Sequence, residues 1–160
     1  TMSDRIAVMS QGVTLQIGNA NEIYERPNCK FVADFIGETT FLTGKVQSQQ
    51  GALATVALSG GLTVQAEAEK AVPAGKEVYV AVRPEKMHLR AHDGYENHFT
   101  GRVSNVVYIG TDTQYAVQLP GDQSVRVREQ NSAPGSRPLA SEGAEVTVSF
   151  SAQAARVLTE

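Results

Sequence analysis

Apolar and polar positions alternate in short runs along most of this chain, which points to strands. Residues 5–9 and 13–17 read as two short strands joined by Ser10-Gln11-Gly12 as a hairpin. Between Gly18 and Gly37 the period lengthens to that of helices. Asn19 with Glu22 forms a capping box, each side chain accepting from the other residue's free backbone amide. The helix it starts carries Ile23 and Tyr24 and must stop before Pro27. Asn28 is the expected cap of a second helix, with Phe31, Val32, Phe35 and Ile36 on one apolar stripe. Gly37 then suits the left-handed position after its end.

From Phe41 onward the texture is β. Expected strands are 42–49, 52–58, 62–66, 77–83, 99–109, 114–119, 125–128, 145–150 and 155–158, a density typical of a small barrel or sandwich. There is an internal echo. Phe41-Leu42-Thr43-Gly44-Lys45-Val46 returns as His98-Phe99-Thr100-Gly101-Arg102-Val103, and Gly75-Lys76-Glu77-Val78-Tyr79-Val80 returns as Gly143-Ala144-Glu145-Val146-Thr147-Val148. Two elements recurring in the same order predict two related β modules, each opened by a Gly-bent strand. The tract 131–138 reads as a loop.

Composition narrows the function. In 160 residues, 41% are hydrophobic and 19% charged, with a net charge of −3. An acidic balance argues against nucleic acid or anionic lipid held by bulk attraction, and the absence of Trp argues against a base-stacking groove. No apolar run approaches the ~20 residues of a membrane span, so direct membrane insertion is not expected. The single cysteine, Cys29, excludes an intrachain disulfide, fits a reducing compartment and reads as a packed small group. The strand pattern begins almost at Thr1-Met2-Ser3, as though mid-domain, which suggests a segment of a longer chain.

The candidate chemistry is sparse. Leu58-Ser59-Gly60-Gly61 carries the first letters of the ABC ATPase signature, but it lies between two strand patterns and reads as a hairpin turn. No phosphate-cradling G-x-x-x-x-G-K-[ST] occurs. His88, His92 and His98, with Asp93 and Glu96 between them, occupy a Gly-containing segment that reads as a solvated loop rather than a ligand set. Hence no catalytic, cofactor-binding or metal-binding residue is expected. Arg83-Pro84-Glu85 ends a strongly apolar strand. It reads first as a structural corner, with Arg83 and Glu85 as the candidate contact to a partner or regulator.

These residues resemble a known family. Asp4 to Met9, Gly12, Gln16-Ile17-Gly18 and Glu22 to Pro27 resemble the end of the nucleotide-binding domain of ABC importer ATPases, and Phe31 to Glu38 resembles the link that follows it. The Gly-Lys-Val and Gly-Arg-Val strands, Val82-Arg83-Pro84-Glu85 and the final Val157-Leu158 resemble the transport-associated OB regulatory domain. Phe35-Ile36-Gly37-Glu38-Thr39 and Val80 to Lys86 stand nearest the putrescine/spermidine subgroup. Asn19-Ala20-Asn21 departs from the family's Thr-Pro-Glu but keeps the capping chemistry.

The resemblance implies a mainly β fold of tandem OB-like small barrels preceded by a β-hairpin and two short helices. It divides the chain into a remnant of the catalytic domain with its linker, 1–38, and a regulatory domain, 39–160. The expected function is regulation and dimerisation of an importer's ATP-hydrolysing subunit, whose intact form takes up a solute, a polyamine by subgroup. ATP and Mg²⁺ would belong to that intact subunit, and this chain should be inactive by itself. The implied partners are a second copy and the membrane subunits, at the cytoplasmic face of the inner membrane. Phe31, Val32, Phe35 and Ile36 would then face the missing domain or the dimer mate. The rival reading is an OB-like sensor of an oxyanion or other effector in an iron or sugar importer.

Overall fold

The hairpin forms where the alternation places it. In the computed structural model, which describes residues 3–133, 135 and 137–160, β1 (Ile6–Ser10) pairs antiparallel with β2 (Val13–Gly18). Thr1 and Met2 of the opening, and Pro134 and Ser136 of the loop tract, lie outside the described residues. Helix α1 (Ala20–Glu25) starts with the predicted capping box: Glu22 N donates to Asn19 Oδ1 at 2.9 Å, and Asn19 N donates to Glu22 Oε2 at 3.1 Å.

Helix α2 (Lys30–Ile36) departs from expectation at both ends. Its cap position is Cys29, with no side-chain bond. Asn28 instead fastens the hairpin, its Nδ2 donating to Leu15 O at 2.7 Å while its N donates to Gln16 Oε1 at 2.9 Å. Gly37 is extended, with φ −172°, rather than left-handed. Glycine suits it because a Cβ there would stand 3.1 Å from the Tyr24 ring and 3.4 Å from the Arg83 guanidinium. The helix buries Val32 and Ala33, while Phe31 and Phe35 stack on each other, centroids 5.8 Å apart, and remain exposed. Val32 joins Val8 and Ile23 in a small core separate from the main one.

The echo in the sequence is a repeat in the structure. β3 (Thr40–Gln50), β4 (Leu53–Leu58), β5 (Thr63–Glu67) and β6 (Glu77–Val82) form the first module. β7 (Asn97–Tyr108), β8 (Asp112–Leu119), β9 (Gln123–Gln130) and β10 (Glu145–Phe150) form the second, in the order β10-β7-β8-β9. The registers correspond: Lys45 lies opposite Glu77 as Arg102 lies opposite Glu145, and both long strands shift register just after Val46 and Val103. Such a shift sharpens the twist and lets a strand coil around a small barrel.

Each module is completed by the other's chain. A short 3₁₀ turn, Pro84–Lys86, carries the chain out of the first module, and His88 then pairs with Ser149 of β10, N to O at 2.9 Å in both directions. The corresponding turn Ala152–Ala154 returns the chain as β11 (Ala155–Leu158). β11 pairs antiparallel with β6 and meets β5 at Arg156, closing the barrel β11-β5-β4-β3-β6. One continuous core follows, from Leu42, Val56 and Val80 through Met87 to Tyr115, Val117 and Phe150. The two modules therefore share one packed interior.

Candidate functional site

The corner at Arg83 is the most heavily bonded polar place in the described chain. Strand β6 ends at Val82, and Pro84, which fixes φ and lacks an amide, starts the 3₁₀ turn. Arg83 itself is buried, 6% exposed. Its Nη1 donates to the carbonyls of Ala33 at 2.8 Å, Gly37 at 2.9 Å and Glu38 at 3.2 Å, and to the Thr39 hydroxyl. Its Nη2 donates to Tyr24 O at 3.0 Å, and its Cζ lies 4.2 Å from the Tyr24 ring centroid. Burial works against the charge and lowers the Arg83 pKa from its usual value. The Tyr24 and Glu85 groups act in the opposite direction, and a guanidinium remains cationic.

The next two residues extend the contact. Glu85 accepts from the Tyr24 hydroxyl, and Lys86 pairs with Glu25. Burial and then the bond to Glu85 push the Tyr24 phenol up to about 12. Arg83, Glu85 and Lys86 thus fasten both short helices to the β body, and Arg83 and Glu85 are engaged within the chain.

Sequence reasoning did not assign a role to Glu38. Its Oε1 accepts from Gln114 Nε2 at 2.7 Å and Arg126 Nη1 at 2.9 Å, and its Oε2 accepts from Arg128 Nη2 at 2.9 Å. Burial alone would raise its pKa, but the bonds from Arg126 and Gln114 and the two arginine charges outweigh it and hold the carboxyl below its ordinary value. The available signal was Arg126 and Arg128 two apart on one strand, hence on one face.

The remaining candidates are placed as follows. Ser59–Gly61 is a hairpin turn, with Leu58 N donating to Leu62 O at 2.7 Å, and it packs against Pro120 and Gly121. The turn leads into β5 rather than into an α-helix, so it is not the helix N-terminus at which the signature residues would hold a phosphate. His88 Nδ1 lies 3.2 Å from Glu129 Oε1. The His88 and His92 rings stack on Tyr95, and His98 Nε2 is 2.9 Å from His92 O. Two open clefts occupy matching places in the two modules. One, of about 1020 Å³, is lined by Thr43, Gly44, Lys45 and Ser59; the other, of about 500 Å³, by Thr100, Gly101, Arg102 and Pro120. Among the described residues no helix is long and apolar enough to cross a membrane.

A closed barrel and a four-stranded sheet that exchange strands, with a docked hairpin–helix unit, define an OB-type fold. Residues 80–158 match the family model described as the TOBE domain. The match begins inside β6 and ends in β11, so it crosses from one module through the exchanged strand into the other.

Over 158 residues, 99% of its length, the chain is 41% identical to the spermidine/putrescine import ATP-binding protein PotA of Roseobacter denitrificans, of which it covers 44%. It is 42% identical over 160 residues to PotA of Ruegeria pomeroyi and 38% over 160 residues to PotA of Pseudomonas fluorescens, covering 42% of each. The chain therefore spans less than half the length of these curated relatives. Among solved structures, the molybdate-bound cytoplasmic molybdate-binding protein ModG matches with a TM-score of 0.59 and 21% identity. That match covers 73% of this chain and 93% of ModG, a likeness of fold.

Proposed function

We propose that this chain is the regulatory part of the ATP-binding subunit of an ABC importer for polyamines of the spermidine and putrescine type. The observation that carries the reading is identity of about 40% along the whole chain to such subunits, hairpin and helices included. The intact subunit would bind ATP with Mg²⁺, work as a homodimer and drive solute through membrane subunits at the cytoplasmic face of the inner membrane. This chain would contribute no catalytic group. Residues 1–38 would be the end of the catalytic domain and its link, and 39–160 the regulatory domain. Phe31 and Phe35, exposed and stacked, would meet the catalytic domain or the second copy.

The test is ATP hydrolysis by this chain beside one extended upstream to the full length of its relatives. Activity only in the longer chain supports the reading, and activity in this chain alone overturns it. Light scattering at micromolar concentration bears on the homodimer, for which a clean monomer mass of the extended chain counts against it.

A second reading is an effector-sensing module, favoured by the matched clefts with Lys45 and Lys76 in one and Arg102 in the other. Calorimetric titration with oxyanions and with polyamines separates the two, since flat traces leave the structural role alone.

A further inference from the structure

Residues 37–40 are held from two directions by groups of very different durability. On one side, the carbonyls of Gly37 and Glu38 and the hydroxyl of Thr39 accept from Arg83, whose side chain is buried at the end of the first module. On the other side, the Glu38 carboxylate reaches β8 and β9 of the second module, through Gln114, Arg126 and Arg128. Thr40 Oγ1 adds a bond from Arg126 N at 3.1 Å. Gln114 and Arg128 are direct cross-strand partners, so the carboxylate spans a rung of the β8–β9 ladder.

The two holds differ in their exposure to water. Arg83 is buried, whereas the Arg126 side chain is 64% exposed and those of Glu38 and Arg128 about a third. Exposed ion pairs are weak and screened by salt, while a buried, fully bonded guanidinium is costly to disturb. One contact is therefore built to persist and the other to let go.

We infer that Glu38 is the releasable strap of a hinge: Arg83, with the Tyr24–Glu85 and Glu25–Lys86 contacts and the Ala33–Ala81–Leu158 packing beside it, is the pivot side on which the hairpin–helix unit sits, and the Glu38–Arg126–Arg128 clasp fixes that unit's orientation against the second module. Opening the strap frees the unit to turn about Arg83 while the exchanged barrels stay folded. Glu38 is thus a positioning residue. It couples the second module to the N-terminal unit across the first, by a route absent from the order of the sequence. This device goes beyond the importer reading and does not depend on it, because it is read on this chain alone.

The test is pulsed electron spin resonance between nitroxides at Thr14→Cys on the hairpin and Ser124→Cys on β9, in a Cys29→Ala background. With the strap closed, one narrow distance is expected. Glu38→Gln, which keeps the shape and removes the charge, broadens and shifts that distribution, and Arg126→Ala with Arg128→Ala does the same. Raising ionic strength from about 0.05 M to about 1 M broadens the parent protein and leaves Glu38→Gln unchanged, as expected for a screened pair. A distribution equally narrow in the parent and in the folded variants overturns the inference. So does broadening accompanied by loss of the barrel's cooperative melt. Should Glu38→Gln fail to fold, the arginine pair and the salt series decide by the same criterion.

Discussion

Gly60 and Gly121 pack against each other's turns at the surface, where the two modules meet. A Cβ on Gly60 would stand 2.6 Å from the Pro120 carbonyl carbon, and one on Gly121 would stand 2.4 Å from that of Ser59. The contact is reciprocal because Ser59-Gly60 and Pro120-Gly121 occupy equivalent places in the two repeats. The Gln123 amide seals it, its Oε1 accepting from Thr43 N at 3.0 Å and its Nε2 donating to Thr43 O at 3.1 Å.

Both glycines have φ near +80°, which costs an L-residue about 1–2 kcal/mol before any clash. Gly61 shares that conformation, φ +82°, but has open space around it. Gly60→Ala and Gly121→Ala should therefore each lose more than about 2 kcal/mol, and Gly61→Ala only the strain. Urea unfolding compares the three, and equal losses would show that the turn–turn contact contributes nothing.

Removing Arg83 leaves the carbonyls of Tyr24, Ala33, Gly37 and Glu38 without their buried donor. Hydrogen bonds to a charged group are worth about 1.5–3 kcal/mol, so Arg83→Met should cost about 3 kcal/mol or more. The loss should appear first as proteolysis within residues 3–36, with the barrels still folded. Cleavage spread evenly over the chain would contradict this order of events.

Glu38 titrates below its ordinary value in the folded state. Its contribution is therefore fully present above the pKa of the unfolded chain and disappears as pH falls through the lower, folded one. Glu38→Gln should cost about 0.5–1 kcal/mol at pH 6 and less at pH 3, the small size reflecting a partly exposed pair. Paired denaturant melts at the two pH values measure it. A cost unchanged at pH 3 would mean that the charge is irrelevant.

Tyr24, pushed up to about 12, behaves in the opposite sense. A raised folded pKa stabilises below the unfolded value of about 10 and loses that stability as pH climbs from there toward 12. In an ultraviolet titration near 295 nm a phenol that ionises at about pH 12 should vanish in Tyr24→Phe. Glu85→Gln should bring that phenol down, since the carboxylate is its hydrogen-bond partner. A late phenol that survives Tyr24→Phe would assign the shift elsewhere.

What the sequence determined by itself was most of what near neighbours carry. The strands followed from period-two alternation, the start of α1 from Asn19 and Glu22, the hairpin at Ser59–Gly61 from its flanking strands, and the repeat from recurring Gly-Lys-Val and Gly-Arg-Val. These features lie within a few residues, so local backbone chemistry decides them. Only the tertiary structure decided which barrel each last strand completes, because Met87–Leu89 and β11 carry the same apolar pattern and would fit either sheet. It alone showed Gly37 as a close-approach residue rather than a left-handed one, and Asn28 as a hairpin fastener rather than a cap. It also brought Arg83 to the carbonyls of Ala33 and Gly37, and Glu38 to Arg126 and Arg128. The reason is physical: such bonds join groups far apart in sequence, and which donor meets which acceptor is settled only when the shared core brings the two modules together.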